Sequence, residues 1–180
     1  MSGPSISRRG FMGGVAGAAA VQMVRTVVAQ TADIGTKIKA GVIGLGGRGN
    51  MIAQLVEAHG GYELTAVADY FPGVAEEAGR QFSIPEKNRF SGLMGYRRLL
   101  ESGVEAVFLE TPPYCFPDHV EAAVEAGVHV YLAKPVACDV PGCLRVAEAA
   151  KRAKDAGRCF LIDFQTRTDP FFIEGVDRVR

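Results

Sequence analysis

The sequence predicts an α/β protein built on a doubly wound parallel sheet, and three observations carry that prediction. Short apolar runs alternate with helical patterns from Ile38 onward. A G-x-G-x-x-G spacing, Gly44, Gly46 and Gly49, falls between the first apolar run and the first helical pattern. An acid, Asp69, closes the second apolar run, twenty positions after Gly49.

Each element follows from its residues. Ile38 to Ile43 is the first strand, β-branched and apolar. Met51 to Ala58 is a helix with apolar positions at 51, 52, 55 and 56, ended by Gly60-Gly61. Tyr62 to Ala68 is the second strand. Pro72 to Phe82 is an alanine-rich helix, Ile84 to Asn88 a loop, and Arg89-Phe90 a short edge strand. Tyr96 to Ser102 is a short helix closed by Gly103, and Val104 to Leu109 a buried strand. That strand runs into Glu110-Thr111-Pro112-Pro113-Tyr114, a stiff loop at the carboxyl end, where ligands of doubly wound sheets sit. Pro117 to Ala126 is a helix with Gly127 at its C-cap. Val128 to Leu132 is a strand followed by Ala133-Lys134-Pro135. Asp139 caps a long helix from Val140 to Ala156, Gly157 ends it, and Cys159 to Phe164 is a further strand. Asp169-Pro170 opens a last helix that reaches Arg180.

The turn from Gly44 to Gly49 reads as a phosphate cradle. Gly44 permits the tight turn, Gly46 leaves room for a pyrophosphate, and Gly49 lets the helix pack against the strand. The helix start adds free N–H groups and roughly half a positive charge. Asp69 can accept both ribose hydroxyls of an adenosine, or it can cap the segment after Pro72. A 2′-phosphate about 4 Å from its carboxylate would cost about 4 kcal/mol at an effective dielectric of 20, so NAD is favoured, with NADP as the alternative.

Composition narrows the class. The chain has 180 residues, with 20 basic and 20 acidic side chains, which disfavours a nucleic-acid surface. Its length suits one domain with a sizeable core. The four cysteines form no C-x-x-C, and with three histidines no zinc pattern appears, so no metal is expected. They read as free thiols, the alternative being a Cys138–Cys143 bridge that spacing alone does not support.

The first residues read as an address rather than as fold. Arg8-Arg9, then Phe11, then a Gly/Ala-rich run to Val24 resemble a twin-arginine export signal. That run is too short to span a bilayer comfortably. Cleavage would follow Ala29, although Arg25 is unusual so near the site. The expected organisation is a signal at 1–29, a linker at 30–36, a dinucleotide-binding domain at 37–166, and a connection at 167–180. Periplasmic placement follows if the signal acts, and cytoplasmic placement if it is an alanine-rich helix. Membrane contact is expected only through an uncleaved signal.

Lys134 is the candidate for chemistry. It follows an apolar strand and precedes a proline at the cofactor edge. There it can hydrogen-bond a substrate hydroxyl or stabilise negative charge on an oxygen as hydride leaves. Alternatively it is a surface lysine snorkelling from a strand end.

Together Gly44-Leu45-Gly46-Gly47-Arg48-Gly49, Val67-Ala68-Asp69, Thr111-Pro112-Pro113 and Ala126 to Pro135 resemble the glucose–fructose oxidoreductase/inositol dehydrogenase/MocA (Gfo/Idh/MocA) family. The resemblance covers residues 37 to 180. It implies a Rossmann domain and NAD(P)-linked oxidation or reduction of a hydroxyl on a sugar, cyclitol or related polyol. Gly44, Leu45, Gly46, Gly47, Arg48, Gly49, Asp69, Thr111, Pro112 and Lys134 are then the dinucleotide contacts, with Lys134 also catalytic. The family's Glu-Lys-Pro falls on Ala133-Lys134-Pro135, so its glutamate is missing, and Pro135 matches a proline that often follows a cis bond. Phe116 stands where many members carry a histidine. His119 matches a second frequent histidine and reads as structural rather than catalytic.

Members are roughly twice as long. Their second domain supplies acid–base residues, binds substrate and usually makes the oligomer interface. The resemblance therefore implies a truncated chain without that α+β domain, not expected to oligomerise. Its status as an enzyme is left open between an oxidoreductase completed by missing material, a non-catalytic nucleotide-binding module, and an inactive remnant. A methyltransferase is disfavoured because it leaves Lys134-Pro135 unexplained.

Overall fold

A computed structural model of the chain describes residues 35–180. The twin-arginine segment at 1–29 and most of the linker lie outside the described residues. Six strands, β1 (Ile38–Ile43), β2 (Tyr62–Asp69), β3 (Arg89–Ser91), β4 (Ala106–Leu109), β5 (His129–Leu132) and β6 (Phe160–Ile162), form one sheet in the order β3-β2-β1-β4-β5-β6. Every pairing is parallel. The order reverses between β1 and β4, so the carboxyl ends of those strands flank the crevice where such sheets bind ligands.

Among the described residues five helices connect the strands, α1 (Gly47–His59), α2 (Pro72–Gln81), α3 (Gly95–Leu100), α4 (Phe116–Glu125) and α5 (Val140–Asp155), and a sixth, α6 (Pro170–Asp177), follows β6. Side chains alternate across the sheet and divide the core in two. Val42, Val67 and Phe108 pack with Ile52, Ala53 and Val56 of α1 and with Ala78 of α2. Ile43, Val107, Leu109 and Leu132 pack with residues of α3, α4 and α5. Each fully buried Val or Leu contributes about 1.5–3 kcal/mol by leaving water. Near-continuous apolar strands, buried on both faces, are what a parallel sheet demands.

The elements match the sequence reading in kind and order, with shifts at their ends. The largest concerns α1, which begins at Gly47 rather than Met51. Gly47, Arg48 and Gly49 offer no apolar repeat, so periodicity cannot see the first turn that the glycine backbone makes. The last helix ends at Asp177, before Arg180. The expected Asp139 cap is present, its Oδ1 accepting from Gly142 N at 2.7 Å. All four cysteines are free.

Candidate functional site

The carboxyl ends of β1, β2 and β4 open onto a cavity of about 950 Å³. Its floor is the glycine turn. Gly44 has φ of +89°, and its N–H donates to Ala68 O at 2.8 Å, tying the turn to β2. Gly49 backs onto that turn, and a Cβ on it would lie 1.7 Å from Gly44 O. Gly46 lines the cavity and differs in kind. Its φ of −60° and ψ of −173° suit any residue, and a Cβ there would meet nothing within 4 Å. The space it leaves open is the cavity itself. Gly46 is also the N-cap of α1, and no side chain caps the helix. The first-turn amides therefore remain available to an anion.

Asp69 shapes the same turn. Its Oδ2 accepts from Leu45 N at 2.8 Å and its Oδ1 from Phe71 N at 3.0 Å. The carboxylate thus binds the β1–α1 turn to the start of the β2–α2 connection. It does not cap α2, whose N-cap is Phe71 with no side-chain cap bond. Each oxygen keeps further acceptor capacity, and Asp69 lines the cavity. Tyr70, Phe71, Val74 and Leu93 form an apolar wall beside it. Leu45 itself is buried, and only its amide serves the turn.

Arg48 lines the cavity and pairs with two acids. Its Nε lies 2.9 Å from Glu110 Oε2, a second guanidinium nitrogen pairs with Asp163, and Nη1 reaches Gln165 Oε1 at 3.5 Å. The guanidinium therefore joins the glycine turn to the ends of β4 and β6. The Glu110 side chain is 0% exposed. Burial raises its pKa above the usual carboxylate range, opposed by Arg48 and, more weakly, by Lys134.

Thr111 and Pro112 line the opposite wall with His119 and Tyr96. Thr111 Oγ1 and His119 Nδ1 share a hydrogen bond of 3.1 Å, and the imidazole lies on the Tyr96 ring with centroids 4.2 Å apart. Lys134 is brought to the same edge without lining the cavity. It is exposed, it follows β5, and the Lys134–Pro135 peptide is cis, as the resemblance implies.

The structure thus gathers the glycine turn, Asp69, Thr111 and Pro112, with Lys134 beside them. It adds Glu110, Asp163, Tyr96 and a cavity-facing His119, which the sequence reading did not place in the site. Glu110 had a visible signal, an acid placed directly between a buried strand and a Pro-Pro loop. Asp163 had none, because its partner lies on the far side of the sheet in sequence.

Buried His119 makes stability acid-sensitive. Burial pushes its pKa from 6.5 down to about 4, while Asp118 pulls it upward. Between those values the unfolded chain holds the extra proton, so stability rises with pH there and is lost as pH falls. The loss is complete below about pH 4 and amounts to about 3 kcal/mol at most. His119→Phe should flatten this part of the stability curve in urea melts between about pH 4 and pH 7. An unchanged slope would refute the assignment.

Comparison with known proteins agrees with this geometry. Residues 38–159 match the profile of the Gfo/Idh/MocA family, described as an oxidoreductase family with an NAD-binding Rossmann fold. An inositol 2-dehydrogenase of Salmonella typhimurium is 29% identical over 140 residues, which are 76% of this chain and 40% of the relative. The scyllo-inositol 2-dehydrogenase (NAD(+)) of Bacillus subtilis is 26% identical over 144 residues, 79% of this chain and 40% of that protein. The crystal structure of scyllo-inositol dehydrogenase from Lactobacillus casei with bound NAD(H) and scyllo-inositol superposes with a TM-score of 0.67. It is 21% identical and covers 79% of this chain and 42% of that one. The latter likeness concerns the fold. This chain therefore spans about 40% of the length of the curated relatives it matches.

Proposed function

The chain belongs to the Gfo/Idh/MocA oxidoreductase family, with an NAD-binding Rossmann domain over residues 38–159, and from that premise we propose that it serves NAD-linked oxidation or reduction of a hydroxyl on a cyclitol, sugar or related polyol. The inositol dehydrogenases among its relatives support that substrate class. The observation that carries the reading is the cradle itself. Gly46 leaves its Cβ position open to the cavity, the first turn of α1 is uncapped, and Asp69 stands at the end of the next strand.

The residues present fit a dinucleotide. The α1 amides and Gly46 would receive the pyrophosphate. Asp69 would accept from the adenosine ribose, with Phe71, Val74 and Leu93 against the adenine. Thr111 and Pro112 would bound the other half. The nicotinamide, when bound, supplies the hydride acceptor or donor. Lys134 would donate from its ammonium to the reacting oxygen, steadying the charge that develops there. The acid–base group is expected from the second domain of the longer relatives.

Titration of the 180-residue chain with NADH, followed by nicotinamide fluorescence, tests this. Saturable binding below millimolar concentration is expected, with NADPH at least about tenfold weaker because its 2′-phosphate meets Asp69. No fluorescence change at millimolar NADH would sink the reading, and tighter NADPH binding would overturn the role given to Asp69.

A further inference from the structure

Thr111 and His119 form a polar pair in the cavity wall, eight residues apart in the chain. Thr111 follows β4 and is half-buried, while His119 sits buried in the first turn of α4. Their bond of 3.1 Å, between Oγ1 and Nδ1, caps no helix. The N-cap of α4 is Cys115, and no side chain caps it. The imidazole lies on the Tyr96 ring with centroids 4.2 Å apart, and the Tyr96 hydroxyl accepts from Arg97 Nε at 3.1 Å. The ring that meets Thr111 therefore has a fixed plane. Its second nitrogen, Nε2, has no hydrogen-bond partner among the described residues. The unpartnered side-chain atoms sealed from solvent there belong to Arg48, Glu110 and Asp163, so Nε2 keeps contact with solvent, and His119 lines the cavity.

Burial keeps the imidazole neutral above about pH 4, so one ring nitrogen donates and the other accepts. In one tautomer the Thr111 hydroxyl donates to Nδ1 and leaves its lone pairs for a ligand. In the other it accepts from Nδ1 and keeps its proton for a ligand. A ligand hydroxyl both donates and accepts, so it satisfies Thr111 in either tautomer, whereas a phosphate oxygen or a carboxamide N–H matches only one. Position says which hydroxyl. Thr111 N lies 2.7 Å from where a Cβ on Gly44 would stand, so the threonine forms the β4 shoulder of the glycine turn. Asp69 ends β2, on the other side of β1. With the adenosine at Asp69 and the pyrophosphate at the turn, the sugar on the β4 side is the ribose of the nicotinamide half.

We infer that the Thr111 hydroxyl hydrogen-bonds a hydroxyl of the nicotinamide ribose, and that His119 is the positioning residue that orients it. This role rests on the dinucleotide reading above. It gives the wall opposite Asp69 a polar grip on the second sugar, which neither the glycine turn nor Lys134 supplies.

Binding of NADH and of ADP to the 180-residue chain, with no polyol present, tests both halves of the inference. Thr111→Val keeps the shape and removes the hydroxyl. NADH affinity should fall about tenfold, while affinity for ADP, which lacks the nicotinamide half, stays within about twofold. His119→Phe keeps a ring against Tyr96 and removes both nitrogens, with the same selective loss expected. The double variant should bind NADH no more weakly than either single one, because all three lose one shared interaction, a coupling that a packing role for His119 would not produce. Far-UV circular dichroism and ADP binding report whether each variant is folded. If His119→Phe is not, His119→Asn replaces it, its amide taking the place of Nδ1, and NADH affinity should then stay within about threefold of wild type, a larger loss overturning the positioning role. Unchanged NADH affinity in Thr111→Val, or equal weakening of NADH and ADP, would overturn the ribose contact. Losses that multiply to about a hundredfold in the double variant would overturn the role of His119. A wild-type chain that binds neither ligand would overturn the dinucleotide reading beneath both.

Discussion

Gly49→Ala should leave the chain without a stable fold. The added Cβ would lie 1.7 Å from Gly44 O and 2.8 Å from Gly44 C, and both atoms belong to backbone. A flexible side chain could swing aside, but this carbonyl cannot. Gly44 is pinned by its bond to Ala68 O, by its φ of +89°, and by its closeness to Thr111 N, which a Cβ on Gly44 would meet at 2.7 Å. Relief therefore requires α1 to slide off β1, undoing the packing of Ile52, Ala53 and Val56 against the sheet. Overpacking of side chains costs about 1–3 kcal/mol. A clash with fixed backbone that displaces a whole helix should exceed about 4 kcal/mol, among the rare large single-residue effects. Against a typical total of about 5–15 kcal/mol, that removes most of the margin. Urea denaturation with circular dichroism checks the value, and a midpoint close to wild type would refute the contact.

Gly46→Val should do the opposite, sparing the fold and abolishing the ligand. The backbone at Gly46 is in an ordinary region, and a Cβ there meets no protein atom within 4 Å. The valine methyls would instead occupy the cavity beside the uncapped amides of α1, where a pyrophosphate needs close backbone approach. NADH affinity should fall at least about a thousandfold, roughly 4 kcal/mol, while the denaturation midpoint changes little. Retained binding would mean that the dinucleotide does not cross this turn. The two glycines lie three residues apart in one motif, yet one is required by backbone packing and the other leaves its Cβ position open.

Much of this fold was legible because parallel sheets announce themselves. Runs such as Ala106 to Leu109 are apolar at every position, and the helices between them carry their own period and stops. The glycine turn and Asp69 were legible because spacing along the chain fixes them. What escaped was set by contacts between distant segments. The start of α1 was hidden because its first residues have no apolar side chains to show a period. Arg48 keeps the cavity-lining place that the motif implies, and its added partners Glu110 and Asp163 come from the ends of β4 and β6. His119 was read as structural, and it is buried, but its bond to Thr111 also places it in the cavity wall. Neither contact leaves a mark on local sequence pattern.

The two bonds of Asp69 have a consequence for anyone wishing to redirect this domain toward phosphorylated cofactors. Replacing the acid is the obvious way to admit a 2′-phosphate, since it removes the repelling charge. Here the same carboxylate holds Leu45 N with one oxygen and Phe71 N with the other. Its removal would strip an acceptor from each of two adjoining loops, and the glycine turn would lose an anchor. On the proposed role of Asp69, cofactor choice and turn shape are thus a single design variable. A successful redesign has to restore an uncharged acceptor for both amides before any arginine is added to greet the phosphate, and the single acceptor oxygen of an asparagine or serine at position 69 would serve only one of them.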